Sequence, residues 1–181
     1  MTKLVNIGYN SWNMNKTLVL IKPDAVERNL TGEVIKRYEE AGLKVMELKM
    51  LKAPDKIIEK HYPMDEDYLR SIGEKTIAAG QKVESAVEQG RKVVTWLRRF
   101  ITSGPIVAMV LEGEDAVVKV RKITGFTDPS TAEKGTIRAD LGTDSILKAN
   151  QEERPVYNLI HASGNEEEAK KEIKLWFGKN E

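Results

Sequence analysis

The chain has 181 residues, enough for one well-buried domain and short for two. Its 29 basic and 28 acidic residues leave a net charge of +1, so no global field draws it to nucleic acid or an anionic membrane, and any polyphosphate must be held by a local cluster. With no cysteine, disulfides and thiolate metal sites are excluded, which fits a cytoplasmic protein, and no apolar run is long enough to span a bilayer.

Residues 1–15 scatter Asn6, Asn10, Asn13 and Asn15 among apolar residues, lack the apolar run of a signal peptide, and read as an N-terminal extension to a domain over 16–181. Lys16 to Ile21 predicts a strand stopped by Pro23. From Thr31, the apolar positions Val34, Ile35, Tyr38 and Ala41 recur at helical spacing up to Gly42. Met46, Leu48 and Met50 alternate with Glu47 and Lys49, the pattern of a strand with one buried face. Pro54 opens a short helix ending near His61-Tyr62. The charged stretch at about 64–90, broken by Gly73, Gly80 and Gly90, reads as an inserted pair of short helices with no core of its own. Trp96, Leu97, Phe100 and Ile101 give the next helix an apolar face, Ile106 to Leu111 is a nearly continuous apolar strand, and Ala116, Val117, Val120 and Ile123 stripe a helix that Gly125 ends. Val156, Leu159 and Ile160 read as a short buried strand, Ser163-x-x-Glu166 as a capping box, and the final helix closes on Trp176 and Phe177. Strand, helix, strand, strand, helix, strand is the ferredoxin-like order. It predicts a four-stranded antiparallel sheet with helices on one face, extra helices and the inserted helical segment.

His161 is one of two histidines, placed at a strand end one step before a helix N-terminus. Backbone N–H groups and the helix dipole favour an anion there, and a largely neutral imidazole is a competent nucleophile near pH 7. The plainer alternative is a hydrogen-bonded histidine at the edge of a core. Context weighs against it: Thr17 to Val26 with Lys22-Pro23-Asp24, then Ser103 to Ala108, then Gly135 to Asp140, then Asn158 to Ser163, follow the order found in nucleoside diphosphate kinases. From Thr17 to Phe177, with interruptions after Tyr62 and Leu141, the chain resembles that family.

The resemblance implies reversible γ-phosphoryl transfer from a nucleoside triphosphate to a diphosphate through phosphorylated His161, with nucleoside di- and triphosphates as partners. By that likeness Lys22 contacts a ribose hydroxyl and phosphate, Arg121, Arg138 and Thr127 hold the phosphates, Asn158 reads a ribose hydroxyl, Tyr62 donates near the transferring group, and Glu172 and Ser163 support the histidine. Arg suits this task because its planar fork engages two phosphate oxygens at once. Counting back from Ser103 places Val93 where many members hold the phenylalanine that stacks on the base, and Gly164 where many hold an aspartate. His61 is assigned no role. Neither a protein-built metal site nor a glycine-rich phosphate loop with its lysine is present in the pattern, so Mg2+ is expected to arrive on the nucleotide phosphates. The resemblance also implies a homo-oligomer, tetramer or hexamer. The rival class, a non-catalytic nucleotide- or nucleic-acid-binding module on the same fold, lacks support from any aromatic-rich RNA-binding strand.

Overall fold

The computed structural model describes residues 14–178. The extension expected over 1–15 lies outside the described residues, except for Met14 and Asn15, which begin the first strand. In chain order the elements are β1 (Met14–Ile21), α1 (Pro23–Glu27), α2 (Thr31–Glu40), β2 (Lys44–Leu51), α3 (Asp55–His61), α4 (Glu66–Ala78), α5 (Ala86–Ile101), β3 (Ile106–Glu114), α6 (Ala116–Thr124), a 3-10 turn (Pro129–Thr131), α7 (Ile137–Leu141), α8 (Ile146–Gln151), β4 (Ile160–Ala162) and α9 (Glu166–Phe177). The sheet runs β2-β3-β1-β4 with every neighbouring pair antiparallel, the ferredoxin-like arrangement.

Side chains alternate across a strand, so β1 and β3 feed two cores. Val19, Ile21, Val107, Met109 and Leu111 pack with Val34 and Tyr38 of α2, Ala116 and Val120 of α6, and Ile137 of α7. Leu18, Leu20, Ile106 and Ala108 point the other way, against Ile58 of α3, Leu69 of α4, Val94 and Ile101 of α5, and Trp176 of α9. The ferredoxin-like helices α2 and α6 take one face as expected. Helices α3, α4, α5 and α9 cover the other, which is why β1 and β3 are apolar without alternation.

β2 departs from the expectation of a buried apolar face: Met46, Leu48 and Met50 are 46%, 47% and 59% exposed. β2 is the sheet edge, and a bulge between Val45 and Glu47 shifts its register against β3. Lys49, the polar member of the alternation, turns inward instead, bonding the carbonyl of Trp176 and lying over the Phe177 ring.

The segment at 64–90 is also built differently from a pair of short helices. α4 has 13 residues, and α5 begins inside the segment at Ala86. Gly73 and Gly90 are not breaks but contact points within helices: a Cβ on Gly73 would lie 1.9 Å from the Ala86 carbonyl oxygen, and one on Gly90 1.8 Å from that of Leu69. Their missing side chains let the two helices touch backbone to backbone, and Leu69 is fully buried in the second core.

The cap of α9 lies two residues beyond the Ser163-x-x-Glu166 prediction. Asn165 Oδ1 accepts from Glu168 N at 2.8 Å, while Glu168 Oε2 accepts from Gly164 N at 2.8 Å. This pair satisfies the Glu168 donor of the first turn and the Gly164 donor before it, and leaves Ser163 to other partners.

Candidate active site

β4 is three residues long, and its central residue, His161, pairs with Leu20 of β1. One turn of backbone places it. Leu159 has φ of +68°, a left-handed conformation costly for a branched side chain, and Ile160 N bonds back to Asn158 O at 2.7 Å across it. This tight turn is clamped from the first motif: Leu159 N donates to Asp24 Oδ2 at 3.0 Å, and Lys22 N donates to Leu159 O at 2.8 Å. Such strain persists only when the surroundings over-determine it, and here Lys22-Pro23-Asp24 does so. Burial pushes the Asp24 carboxyl up from its ordinary value, against the pull of Lys22 and the backbone donors.

The His161 ring is held at one nitrogen, where Nε2 lies 2.8 Å from Glu172 Oε1. The second carboxylate oxygen accepts from Ser163 Oγ at 2.6 Å, and that hydroxyl in turn accepts from Leu18 N at 3.3 Å, tying it to β1. Burial pushes the Glu172 carboxyl up, but the charge and hydrogen bond of His161, then His61 and Ser163, outweigh it and hold the group at about 2. An ionised carboxylate at Nε2 fixes the ring proton there and leaves Nδ1 with its lone pair free.

Lys22, Asn158 and Thr127 form a chain beside the ring. Lys22 Nζ donates to Asn158 Oδ1 at 2.7 Å, and Asn158 Nδ2 donates to the Thr127 carbonyl at 2.8 Å. Burial first, and Arg138 second, lower the Lys22 ammonium to about 8. Arg138 was expected only as a phosphate cation, yet its buried guanidinium also braces the loop. It donates to the carbonyls of Asn158, Gly125 and Ile160 at 3.1, 3.0 and 2.6 Å, which leaves two of its five N–H donors unused. Arg121, on α6, is exposed and lines a cleft with Asn15, Gly164 and Asn165. Tyr62 is buried at the end of α3, its ring centroid 6.4 Å from that of His161. Val93 is half-buried on α5 and takes no part in this hydrogen-bonded group.

The residue that sequence reasoning missed is His61. Its side chain is 0% exposed, edge-on to the His161 ring with centroids 4.3 Å apart, and its Nδ1 is 3.4 Å from Glu172 Oε1. Trp176 Nε1 donates to that Nδ1 at 3.3 Å, so the proton of a neutral His61 sits on Nε2, a buried atom with no partner among the described residues. Adjacency to Tyr62 was the one signal that could have marked it. His61, His161 and Glu172 bring three donor atoms within 4.8 Å of one another, the spacing of a metal site. Two nitrogens and one oxygen do not suit Mg2+, which takes oxygen ligands, and the Nδ1 of His61 already accepts the indole proton. Within the group the one hydrogen bond is that between His161 and Glu172.

An ionised carboxylate behind a histidine, on a ferredoxin-like sheet, with lysine and arginine gathered beside it, defines a phosphotransferase that works without a glycine-rich phosphate loop. Comparison with known proteins agrees. The family model described as nucleoside diphosphate kinase matches residues 15–181. A nucleoside diphosphate kinase of Pyrobaculum aerophilum is 47% identical over 178 residues, covering 93% of this chain and 97% of that protein, and one of Borreliella burgdorferi is 36% identical, covering 93% and 90%. The crystal structure of an NDP kinase from Pyrobaculum aerophilum superposes with a TM-score of 0.86 at 44% identity, over 92% of this chain and 97% of that one. A transition-state mimic of the Borrelia burgdorferi enzyme, with bound vanadate and ADP, gives 0.75 at 36% identity, over 93% and 89%. The chain belongs to the nucleoside diphosphate kinase family, and its activity is phosphoryl transfer between nucleotides. The binding-module alternative is not favoured.

Proposed function

We propose that the exchange runs in two steps through His161 Nδ1. The Nδ1 lone pair attacks the γ-phosphorus of a nucleoside triphosphate, the bond from phosphorus to the bridging oxygen breaks, and the diphosphate leaves with that electron pair. The ring becomes a cation at this moment, and Glu172, ionised down to about pH 2, offsets the charge through Nε2–H. A terminal oxygen of a second diphosphate then attacks the same phosphorus, and the nitrogen–phosphorus bond breaks. The observation that carries this reading is the one-sided tether of the ring: Nε2 engaged at 2.8 Å, Nδ1 left for chemistry.

Lys22, Arg121, Arg138 and Thr127 hold the phosphates in this reading, Asn158 reads a ribose hydroxyl, Tyr62 donates near the transferring group, and Val93 borders the base. Positioning and charge neutralisation are most of what phosphoryl transfer asks of a protein. Mg2+ comes on the nucleotide and supplies charge neutralisation there. The protein works in the cytoplasm as a homo-oligomer. The exposed apolar row Met46, Leu48 and Met50 on a sheet edge supports that assembly, since an unpaired edge of this kind invites a partner strand. Among the described residues no helix is long and apolar enough to cross a membrane.

Brief mixing with MgATP followed by mass spectrometry tests the mechanism. The expected product carries one acid-labile, base-stable phosphoryl group on His161, and His161→Ala carries none while still binding ADP. Phosphate on a serine instead would end this mechanism.

A further inference from the structure

The second histidine is buried against the nucleophile, and the two-step exchange gives it no part. His61 ends α3, and Arg98 of α5 fixes that helix end, donating to the Tyr62 carbonyl from Nε at 2.9 Å and from Nη2 at 2.7 Å, and to the Glu59 carbonyl at 3.1 Å. Glu172 and Trp176 stand four residues apart on α9, and so share one face of that helix. His61 Nδ1 meets both, lying 3.3 Å from Trp176 Nε1 and 3.4 Å from Glu172 Oε1. Trp176 is 1% exposed, so its N–H needs an acceptor inside the protein. Of the two acceptors at hand the ionised carboxylate is the stronger, since a hydrogen bond to a charged group is roughly twice as strong as a neutral one. The neutral ring takes the indole proton instead. Glu172 Oε1 is left with one donor among the described residues, His161 Nε2 at 2.8 Å, and Oε2 with one, Ser163 Oγ at 2.6 Å. Because His61 Nδ1 accepts, it brings no proton of its own to the carboxylate. A carboxylate shared with a further donor has less charge left to offset a ring that turns cationic.

We propose that His61 is a positioning residue for phosphoryl transfer: its Nδ1 diverts the Trp176 N–H from Glu172, which reserves Glu172 Oε1 for the Nε2 proton of His161. A histidine suits this position because a neutral imidazole offers an acceptor at one nitrogen on a small flat ring, and the ring packs edge-on to that of His161 with centroids 4.3 Å apart. The inference rests on the two-step reading above and adds to it a group that touches neither nucleotide nor phosphorus.

Single-turnover phosphorylation by MgATP, calorimetric binding of MgADP and nitrogen NMR of the histidine rings test it, on the full chain, on His61→Leu and on the double variant His61→Leu/Trp176→Phe. In the parent both rings should carry their proton on Nε2, with Nδ1 bare; a proton on Nδ1 of His61 overturns the proposal without any variant. His61→Leu removes the acceptor and frees the indole donor to turn to Glu172. Phosphorylation should then slow about tenfold, the scale of a lost supporting contact, while MgADP affinity stays within about twofold of the parent and His161 shows a share of the Nδ1-protonated form. Trp176→Phe in that background takes the competing donor away, and the rate should return to within about threefold of the parent. A parent-like rate in His61→Leu overturns the proposal and leaves the kinase reading intact. A slowed rate that the second substitution does not restore, with the His161 proton still on Nε2, also overturns it, by making His61 a packing residue. If the parent chain neither binds MgADP nor accepts a phosphoryl group, the kinase reading itself falls.

Discussion

Replacing His61 by leucine should flatten the acid side of the stability curve. Burial, then repulsion by His161 and Lys22 against the opposing pull of Glu172, holds the folded imidazole at about 3, whereas an unfolded histidine titrates near 6.5. Between those values the unfolded chain binds a proton that the native chain lacks, so unfolding becomes easier as pH falls, by ~1.4 kcal/mol per pH unit. The full depression is worth ~5 kcal/mol at pH 3, a large part of the stability of a typical domain. Other titrating groups narrow the useful window. Glu172, held at about 2, adds its own loss below its ordinary value of 4.5, and Asp24, shifted upward, acts in the opposite sense because the folded state holds its proton longer. Urea unfolding at pH 6.5, 5.5 and 4.5 therefore isolates His61. The parent should lose ~2–3 kcal/mol more than His61→Leu across that range. The variant is expected to start lower at every pH, because the Trp176 N–H loses its acceptor at a cost of ~1–3 kcal/mol, so the slope and not the level is diagnostic. Parallel curves for the two proteins would refute the reasoning.

Glu172→Gln should slow phosphohistidine formation about ten- to a thousandfold without abolishing it, since an amide can still bond the ring but cannot offset its charge; unchanged single-turnover rates would return Glu172 to a structural role. MgADP binding near pH 8.5 should take up a proton, because Lys22 titrates at about 8 in the free protein and is charged against phosphate. Calorimetry in buffers of different ionisation enthalpy reads this directly, and Lys22→Gln should lose the uptake. Gly73→Ala should destabilise the fold by ~1–3 kcal/mol even though alanine is the better helix former by ~1 kcal/mol, because its Cβ would meet the Ala86 carbonyl. A more stable variant in urea titration would mean that α4 and α5 do not touch as described.

What the sequence determined by itself was local. The apolar runs of β1 and β3, the 3.6-residue stripes of α2 and α6 and the order of elements sufficed for the ferredoxin-like sheet, because periodicity records which side of an element is dry. The spaced motifs and the family likeness likewise singled out His161, Asn158, Lys22, Glu172 and Ser163, and the structure joins Lys22 to Asn158 and both His161 and Ser163 to Glu172 by hydrogen bonds. Only the tertiary structure decided what covers each face and which distant groups meet. β2 has the alternation of a half-buried strand, but its place at the sheet edge leaves Met46, Leu48 and Met50 in the open, and no pattern within eight residues encodes that place. Ser163 and Asn165 both look like caps. The choice of Asn165 follows from the partner that Ser163 finds in Glu172, nine residues on, and from the backbone of Leu18, 145 residues back. Glycines at 73 and 90 read as helix breakers until another helix is seen to press on them. His61 carried no motif, yet its ring lies edge-on against that of His161. Burial, field and hydrogen-bond partner are properties of what surrounds a side chain, and for these residues the surroundings come from chain far away in sequence.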